Sequence, residues 1–489
     1  MQRPAGGQAV GHAFQEHVRR PGVCELPAAG VRDKRVSVAT VLAAQTVTLS
    51  VVWAVPFAGM LLSIAVLPLL APALWHHHFG KIAAGWGLAF LLPFAAAQGA
   101  QAALAVMVHA LLAEYLPFII LLTALFTVAG GICVRGNLRG TPALNTGLLA
   151  LGTALASVMG TTGAAMLLIR PLIRANDDRK HVAHVVVFFI FLVANAGGSL
   201  TPLGDPPLFL GFLMGVDFFW TARHLLAPML FLCAALLAVF YLIDRHYYLN
   251  REERRPAGAD PTPDSRLSFE GKSNFALLAA VVALVLMSGI WKPGVAFEVL
   301  GTPLEWQNLM RDGALVAVIL LSLALTPATA RAGNEFTWGP MQEVAKLFAA
   351  IFLTIVPVIA MLRAGEQGAF AAVVRAVTGP DGRPDDAMYF WMTGLLSSFL
   401  DNAPTYLVFF NTASGDAREL MGPLASTLAA ISAGAVFMGA NSYIGNAPNM
   451  MVKAIAEERG IRMPSFFGYM AWSCGILVPL FVAMTFLFF

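Results

Sequence analysis

From residue 36 onward the chain is written as long apolar runs separated by short polar ones. That is the pattern of membrane-spanning segments, not of half-buried strands or surface helices. One unbroken apolar stretch covers residues 36 to about 75; since about twenty residues cross a bilayer core of roughly 30 Å, it predicts two spans. Further spans are expected near 84–100, 115–133, 224–243, 275–292, 312–328, 341–363 and 465–489. Two more, 183–219 and 424–457, are interrupted by Gly/Pro motifs, and 141–172 and 388–414 are broken at 160–163 and 401–404. Lipid cannot satisfy unwound backbone, so the last two read as re-entrant hairpins. The predicted fold is an all-α polytopic membrane protein of about eleven transmembrane helices.

The interruptions come twice. Thr161-Thr162 opens a polar break, followed by Thr201-Pro202-Leu203-Gly204-Asp205-Pro206-Pro207; later, Asp401-Asn402-Ala403-Pro404-Thr405 precedes Ser442-Tyr443-Ile444-Gly445-Asn446-Ala447-Pro448. The offsets, 401 − 161 = 240 and 442 − 201 = 241, keep the halves in register, as expected of a transporter built from two structural repeats, each with a re-entrant hairpin and a broken helix. Basic residues set the expected sidedness. Residues 244–274 carry Arg245, Arg251, Arg254, Arg255, Arg266 and Lys272 and are predicted to be a cytoplasmic linker. Arg135, Arg139, Arg174, Arg179, Lys180, Lys453, Arg459 and Arg462 then fall inside, and 411–422 falls outside, so the repeats are expected to be inverted. The predicted organisation is a disordered segment 1–35, an extra transmembrane helix or secretory signal peptide at 36–53, a first transmembrane repeat 54–243, the linker 244–274 and a second repeat 275–489.

Composition agrees with this reading. Hydrophobic residues are 58% and charged residues 12% of the chain, against roughly 45–50% and 25% in soluble proteins. The net charge of +3 is dispersed between apolar runs, which argues against a nucleic-acid partner. Cys24, Cys133, Cys233 and Cys474 are too scattered for a disulfide framework or a metal site. The chain has no nucleotide-binding phosphate loop and no nucleophile with a paired base, so it reads as no enzyme, with no cofactor, driven by ion gradients.

A break inside the membrane is a candidate site. In the second half Asp401 stands beside Asn402 and Thr405, with Ser442, Gly445, Asn446 and Asn449 in the matching broken helix. In the first half the candidates are Thr161, Thr162, Ser199, Thr201, Gly204 and Asp205. Hard cations take oxygen ligands, and a carboxylate among such oxygens can exchange a proton for Na+, which makes Asp401 and Asp205 the candidate Na+ ligands. The plainer alternative is that both acids cap half-helices. Glu114 at the start of a span is a weaker candidate, and His76-His77-His78 has no acidic or Cys partner nearby in the sequence.

The runs Ser398 through Thr405, Gly198 through Asp205 and Gly439 through Asn449 resemble the ion transporter superfamily, and within it the NhaD-like sodium/proton antiporters and the neighbouring citrate transporters. The resemblance covers nearly everything after residue 50. It implies a bacterial-type inner-membrane transporter whose hairpin tips meet broken helices near the midplane, often as a homodimer. It also implies Asp401, Asn402 and Thr405 as ion ligands of the second hairpin, with Thr201, Asp205, Ser442 and Asn446 lining the broken helices. Such antiporters carry an Asp-Asn pair in the first hairpin as well, where this chain has Thr161-Thr162. The leading expectation is Na+/H+ antiport at Asp401; the alternative is cation-coupled transport of citrate or another small carboxylate, held by Thr161, Thr162 and half-helix N-termini.

Overall fold

The computed structural model describes residues 49–250 and 265–489; the expected disordered segment 1–35, and all but the end of the 36–53 segment, lie outside the described residues. The described chain is helical, with two small β-ribbons. Its first half runs α1 (Val55–Leu70), α2 (Pro72–Gln98), α3 (Ala100–Ala129), β1 (Cys133–Asn137), α4 (Pro142–Met159), α5 (Thr161–Arg174), α6 (Ala183–Leu192), α7 (Pro206–Leu213) and α8 (Trp220–Asn250). The second half runs β2 (Ser265–Glu270), α9 (Ser273–Ile290), β3 (Ala296–Val299), β4 (Thr302–Glu305), α10 (Trp306–Leu325), α11 (Ala328–Gly333), α12 (Gly339–Thr354), α13 (Val356–Arg363), α14 (Asp386–Phe399), α15 (Asn402–Ala413), α16 (Ala425–Met438), α17 (Ala447–Glu458) and α18 (Phe466–Phe488).

Among the described residues, eight helices are long and apolar enough to cross a membrane, or nine if α12 and α13, bent by 42° at their junction, count as one span. Pro357 at the start of α13 removes a donor and forces that bend. The expectation of about eleven includes the 36–53 segment, most of which lies outside the described residues, and the two broken segments, whose halves are each shorter than a span: α6 has 10 residues and α7 has 8. The expected junction between the second and third spans also moves, to Ala71, where φ −142 and ψ 61 break the helix and Pro72 starts the next one. The three histidines therefore lie in the exposed first turns of α2, and no group of three His, Cys, Asp or Glu side chains is placed to hold a metal ion among the described residues. Glu114 falls in a π-helical turn, Ala110–Tyr115, within α3.

Burial separates two kinds of helix. Every residue of α6 from His184 to Leu192, and of α16 from Thr427 to Met438, is buried. The apolar windows of α2, α10 and α18 are only 22% buried, and side chains such as Leu92, Leu320 and Phe486 are exposed on them. The interrupted segments thus form the interior, and the continuous helices surround them and offer the rest of their apolar faces to lipid. This arrangement lets broken backbone persist at membrane depth.

Within the stretch expected to be a linker, α8 continues to Asn250, and Ser265–Glu270 is strand β2, antiparallel to β1 with Cys133 opposite Glu270. The foot of the first hairpin is tied to the end of α8 by a buried polar network. Asp244 Oδ1 accepts from Arg179 Nη2 at 2.6 Å and lies 2.8 Å from His184 Nε2, while Asp244 Oδ2 accepts from Asn145 Nδ2 at 3.0 Å. Asp244 is fully buried, and removing one member of a buried ion pair costs about 3–5 kcal/mol. Asp244→Ala is expected to lower the unfolding temperature of the detergent-solubilised protein markedly, and Asp244→Asn to lower it less; equal stability of Asp244→Ala and the parent would contradict this role.

Candidate functional site

The broken helices and hairpin tips converge on Asp205. It is 2% exposed and stands at the N-cap of α7, yet it makes no side-chain cap bond. The reason is local. An N-cap side chain accepts from the second or third helical N–H; here the first two helical residues are Pro206 and Pro207, and the N–H of Leu208 bonds Asp205's own carbonyl at 3.1 Å. The carboxylate is left for partners from elsewhere. Thr161 Oγ1 donates to Oδ1 at 3.0 Å, Asn446 Nδ2 donates to Oδ1 at 3.2 Å, and Asn402 Nδ2 donates to Oδ2 at 2.5 Å.

Those three donors come from three other helix starts. Thr161 and Asn402 open α5 and α15, and Asn446 is the N-cap of α17. Counting α7, four helix N-termini meet at one carboxylate, each carrying roughly half a positive charge. Three of the four, α5, α7 and α17, have no side-chain cap. Only α15 is capped, by Asp401, whose Oδ1 accepts from Ala403 N at 3.1 Å. Asp401 is half-buried and makes the cap, and Asp205 is the enclosed carboxylate. Asn402 Oδ1 is buried without a hydrogen-bond partner.

The two halves share several bonds of this frame. Thr201 Oγ1 donates to the carbonyl of Ser157, and Ser442 Oγ to the carbonyl of Ser398. Leu203 N donates to Thr201 Oγ1 at 3.1 Å, and Ile444 N to Ser442 Oγ at 3.2 Å. The helix starts give one offset, 402 − 161 = 241 and 447 − 206 = 241. This corrects the alignment of the hairpins by one residue: Asp401 corresponds to Gly160, and Asn402 to Thr161. Gly160, at φ +81, is the residue that stands where the second hairpin has its acid.

The remaining candidates hold the frame. Ser199 Oγ donates to Ala196 O at 2.9 Å, and Thr405 Oγ1 to Asp401 O at 3.0 Å. Asn449 donates to Gly439 O and Ser442 O, both at 2.9 Å. Gly204 and Gly445 pass against the backbone of Gly198 and Gly439. Thr162, next to Thr161, is half-buried, and it is the Thr161 hydroxyl that reaches Asp205. Sequence reasoning missed Asn195, Ser157 and Ser398. Asn195 is fully buried and donates to Asn449 Oδ1 at 2.7 Å; an amide inside an unbroken apolar run was its signal. Ser157 and Ser398 are 241 apart, so the repeat offset could have found them.

A family model described as "Putative citrate transport" matches residues 46–489. The chain belongs to this family. Membership agrees with a multi-pass membrane transporter, and the description names citrate, the substrate expected second. A comparison with curated proteins finds no match.

Proposed function

We propose that this chain is a secondary active transporter that moves citrate or a related small carboxylate across the membrane, coupled to a cation or proton. The observation that carries this reading is the meeting of four helix N-termini, three without a side-chain cap, around a single enclosed carboxylate. Helix N-termini direct their positive dipole ends at one point, an arrangement that favours anionic groups without any Lys or Arg. Asp205 and the unpartnered Asn402 Oδ1 supply oxygens for the coupling cation. A carboxylate substrate would meet the open ends of α5 and α17, and the coupling ion would offset its charge and that of Asp205. The family description supports the same substrate class.

Uptake of labelled citrate into proteoliposomes under imposed Na+ and pH gradients tests this. Saturable, gradient-dependent uptake is expected. Na+-driven collapse of a pH gradient with no uptake of any di- or tricarboxylate would instead establish Na+/H+ exchange. Thr161→Val keeps the side chain's shape and removes one donor to Asp205; a hydrogen bond to a charged group is worth about 1.5–3 kcal/mol. The ratio kcat/KM for citrate should fall roughly 10- to 100-fold, and an unchanged ratio would remove Thr161 from the site.

A further inference from the structure

Two of the helices that reach Asp205 are also tied together at their far ends. Thr161 opens α5 and Asn446 caps α17, and both donate to Asp205. The two helices pack on each other. Arg170 stands 170 − 161 = 9 residues past Thr161, about 13.5 Å along α5, and Arg459 is the C-cap of α17. Both arginines pair with one carboxylate. Arg170 Nη2 donates to Glu335 Oε2 at 3.0 Å, and Arg459 Nη2 donates to Glu335 Oε1 at 2.6 Å.

Glu335 belongs to neither helix. It lies in the turn between α11 and α12, which is fixed to the end of α3: Asn334 Nδ2 donates to Gly130 O at 3.0 Å and to Ile132 O at 2.6 Å, and the Phe336 ring lies 5.1 Å from that of Phe126. Because α3 is one of the continuous helices around the interrupted segments, Glu335 joins the surrounding wall to the interior. Its φ of +48 is a left-handed conformation, which costs a residue with a side chain energy and persists where the surroundings hold it.

Exposed ion pairs contribute little, and the pair with Arg459 is of that kind. The pair with Arg170 is not. Arg170 is 7% exposed, its Nε and Nη1 are buried without a partner, and Glu335 is the one acceptor it reaches among the described residues. Loss of that carboxylate leaves a buried guanidinium uncompensated, which favours any movement of α5 that brings it to water. One turn nearer Thr161, the contact with the wall is soft. Met166 of α5 and Met341 of α12 share an apolar cluster with Phe126 of α3, and Met451 of α17 packs against it. Unbranched thioethers repack readily, so this surface can slip once the ion pairs break.

We propose that Glu335 is a latch: by pairing with Arg170 and Arg459 it holds α5 and α17, and with them the Asp205 site, against the wall at α3. A transporter moves its binding elements against their surroundings in each cycle, and these two ion pairs cross that boundary and break when it shifts. The latch rests on the chain's being a transporter and not on what it carries.

Cysteine labelling tests it. Met166→Cys places a thiol in the buried contact; the full-length protein carrying it is reconstituted and exposed to a water-soluble maleimide, and label at that position is read by peptide mass spectrometry. Adding Glu335→Gln should raise the labelling rate several-fold. Adding Arg459→Gln, which removes one arm at an exposed position, should raise it less, and this variant carries the test if Glu335→Gln fails to fold. Glu270→Gln is the control. It removes the same charge from a pair with Arg135 in which both partners are partly exposed, and labelling should stay at the parent rate. Backbone hydrogen exchange along α5 should be unchanged throughout, since a latch releases the helix as a body. An unchanged labelling rate in the Glu335 or the Arg459 variant, or an equal rise in Glu270→Gln, would overturn the proposal. So would faster exchange along α5 in step with labelling, which would show that Glu335 only keeps the helix folded.

Discussion

Asp205→Asn is expected to abolish the proposed carboxylate uptake, with a fall of at least about 100-fold. The carboxylate accepts on both oxygens, from Thr161 and Asn446 on one and from Asn402 on the other. An amide has only one acceptor oxygen, so in either orientation its NH2 group faces a donor that used to be accepted. Each lost hydrogen bond to a charge costs about 1.5–3 kcal/mol, and the unsatisfied donor adds to it. The charge that would attract a coupling cation is lost as well. Asp401→Asn provides the contrast. Asparagine caps a helix about as well as aspartate, so the bond from Ala403 N survives and uptake should stay within roughly threefold of the parent. Uptake of labelled citrate, normalised to the amount of reconstituted protein, checks both. Loss of transport in Asp401→Asn with transport retained in Asp205→Asn would reverse the roles derived from the geometry.

Gly204→Ala and Gly445→Ala disrupt the broken helices themselves. A Cβ at Gly204 would lie 2.1 Å from Gly198 O; at Gly445 it would lie 2.5 Å from Gly439 O and 2.7 Å from Ser397 O. These are backbone atoms, which cannot turn aside as a flexible side chain can. Overpacking commonly costs about 1–3 kcal/mol, and a clash with fixed backbone belongs at or above the top of that range. Both variants are expected to unfold at lower temperature and to lose uptake. Gly147→Ala and Gly475→Ala are the controls, because a Cβ at either position meets nothing within 4 Å, and alanine favours a helix by about 0.5–1 kcal/mol over glycine. Thermal unfolding of the four solubilised variants checks the contrast, and equal stability across all four would refute the close approach.

Some of the site was open to sequence reasoning because its causes are local. The Gly/Pro interruptions mark where a helix must break, and the recurrence of the same motif about 240 residues later shows that the break is built twice. The local difference between the two acids is written in the sequence as well. Pro207 removes one N–H that Asp205 could have capped, whereas Ala403 provides one for Asp401. Matching Thr161 with Asp401 aligns the hairpins one residue out of register. The helix starts, 241 apart, match Thr161 with Asn402 instead, and those two residues reach the same carboxylate.

By itself, the order of residues determined that this protein lives in lipid, that its backbone is interrupted at four places and that the interruptions repeat, since hydropathy, proline and glycine act within a few positions of where they stand. Only the tertiary structure decided that Asp205 is the enclosed carboxylate, that Asn402 and Asn446 reach it from 197 and 241 positions away, and that β2 pairs with β1 across the hairpin's foot. Such partners are set by how whole helices pack, and no short stretch of chain contains both ends of a bond that packing alone brings together.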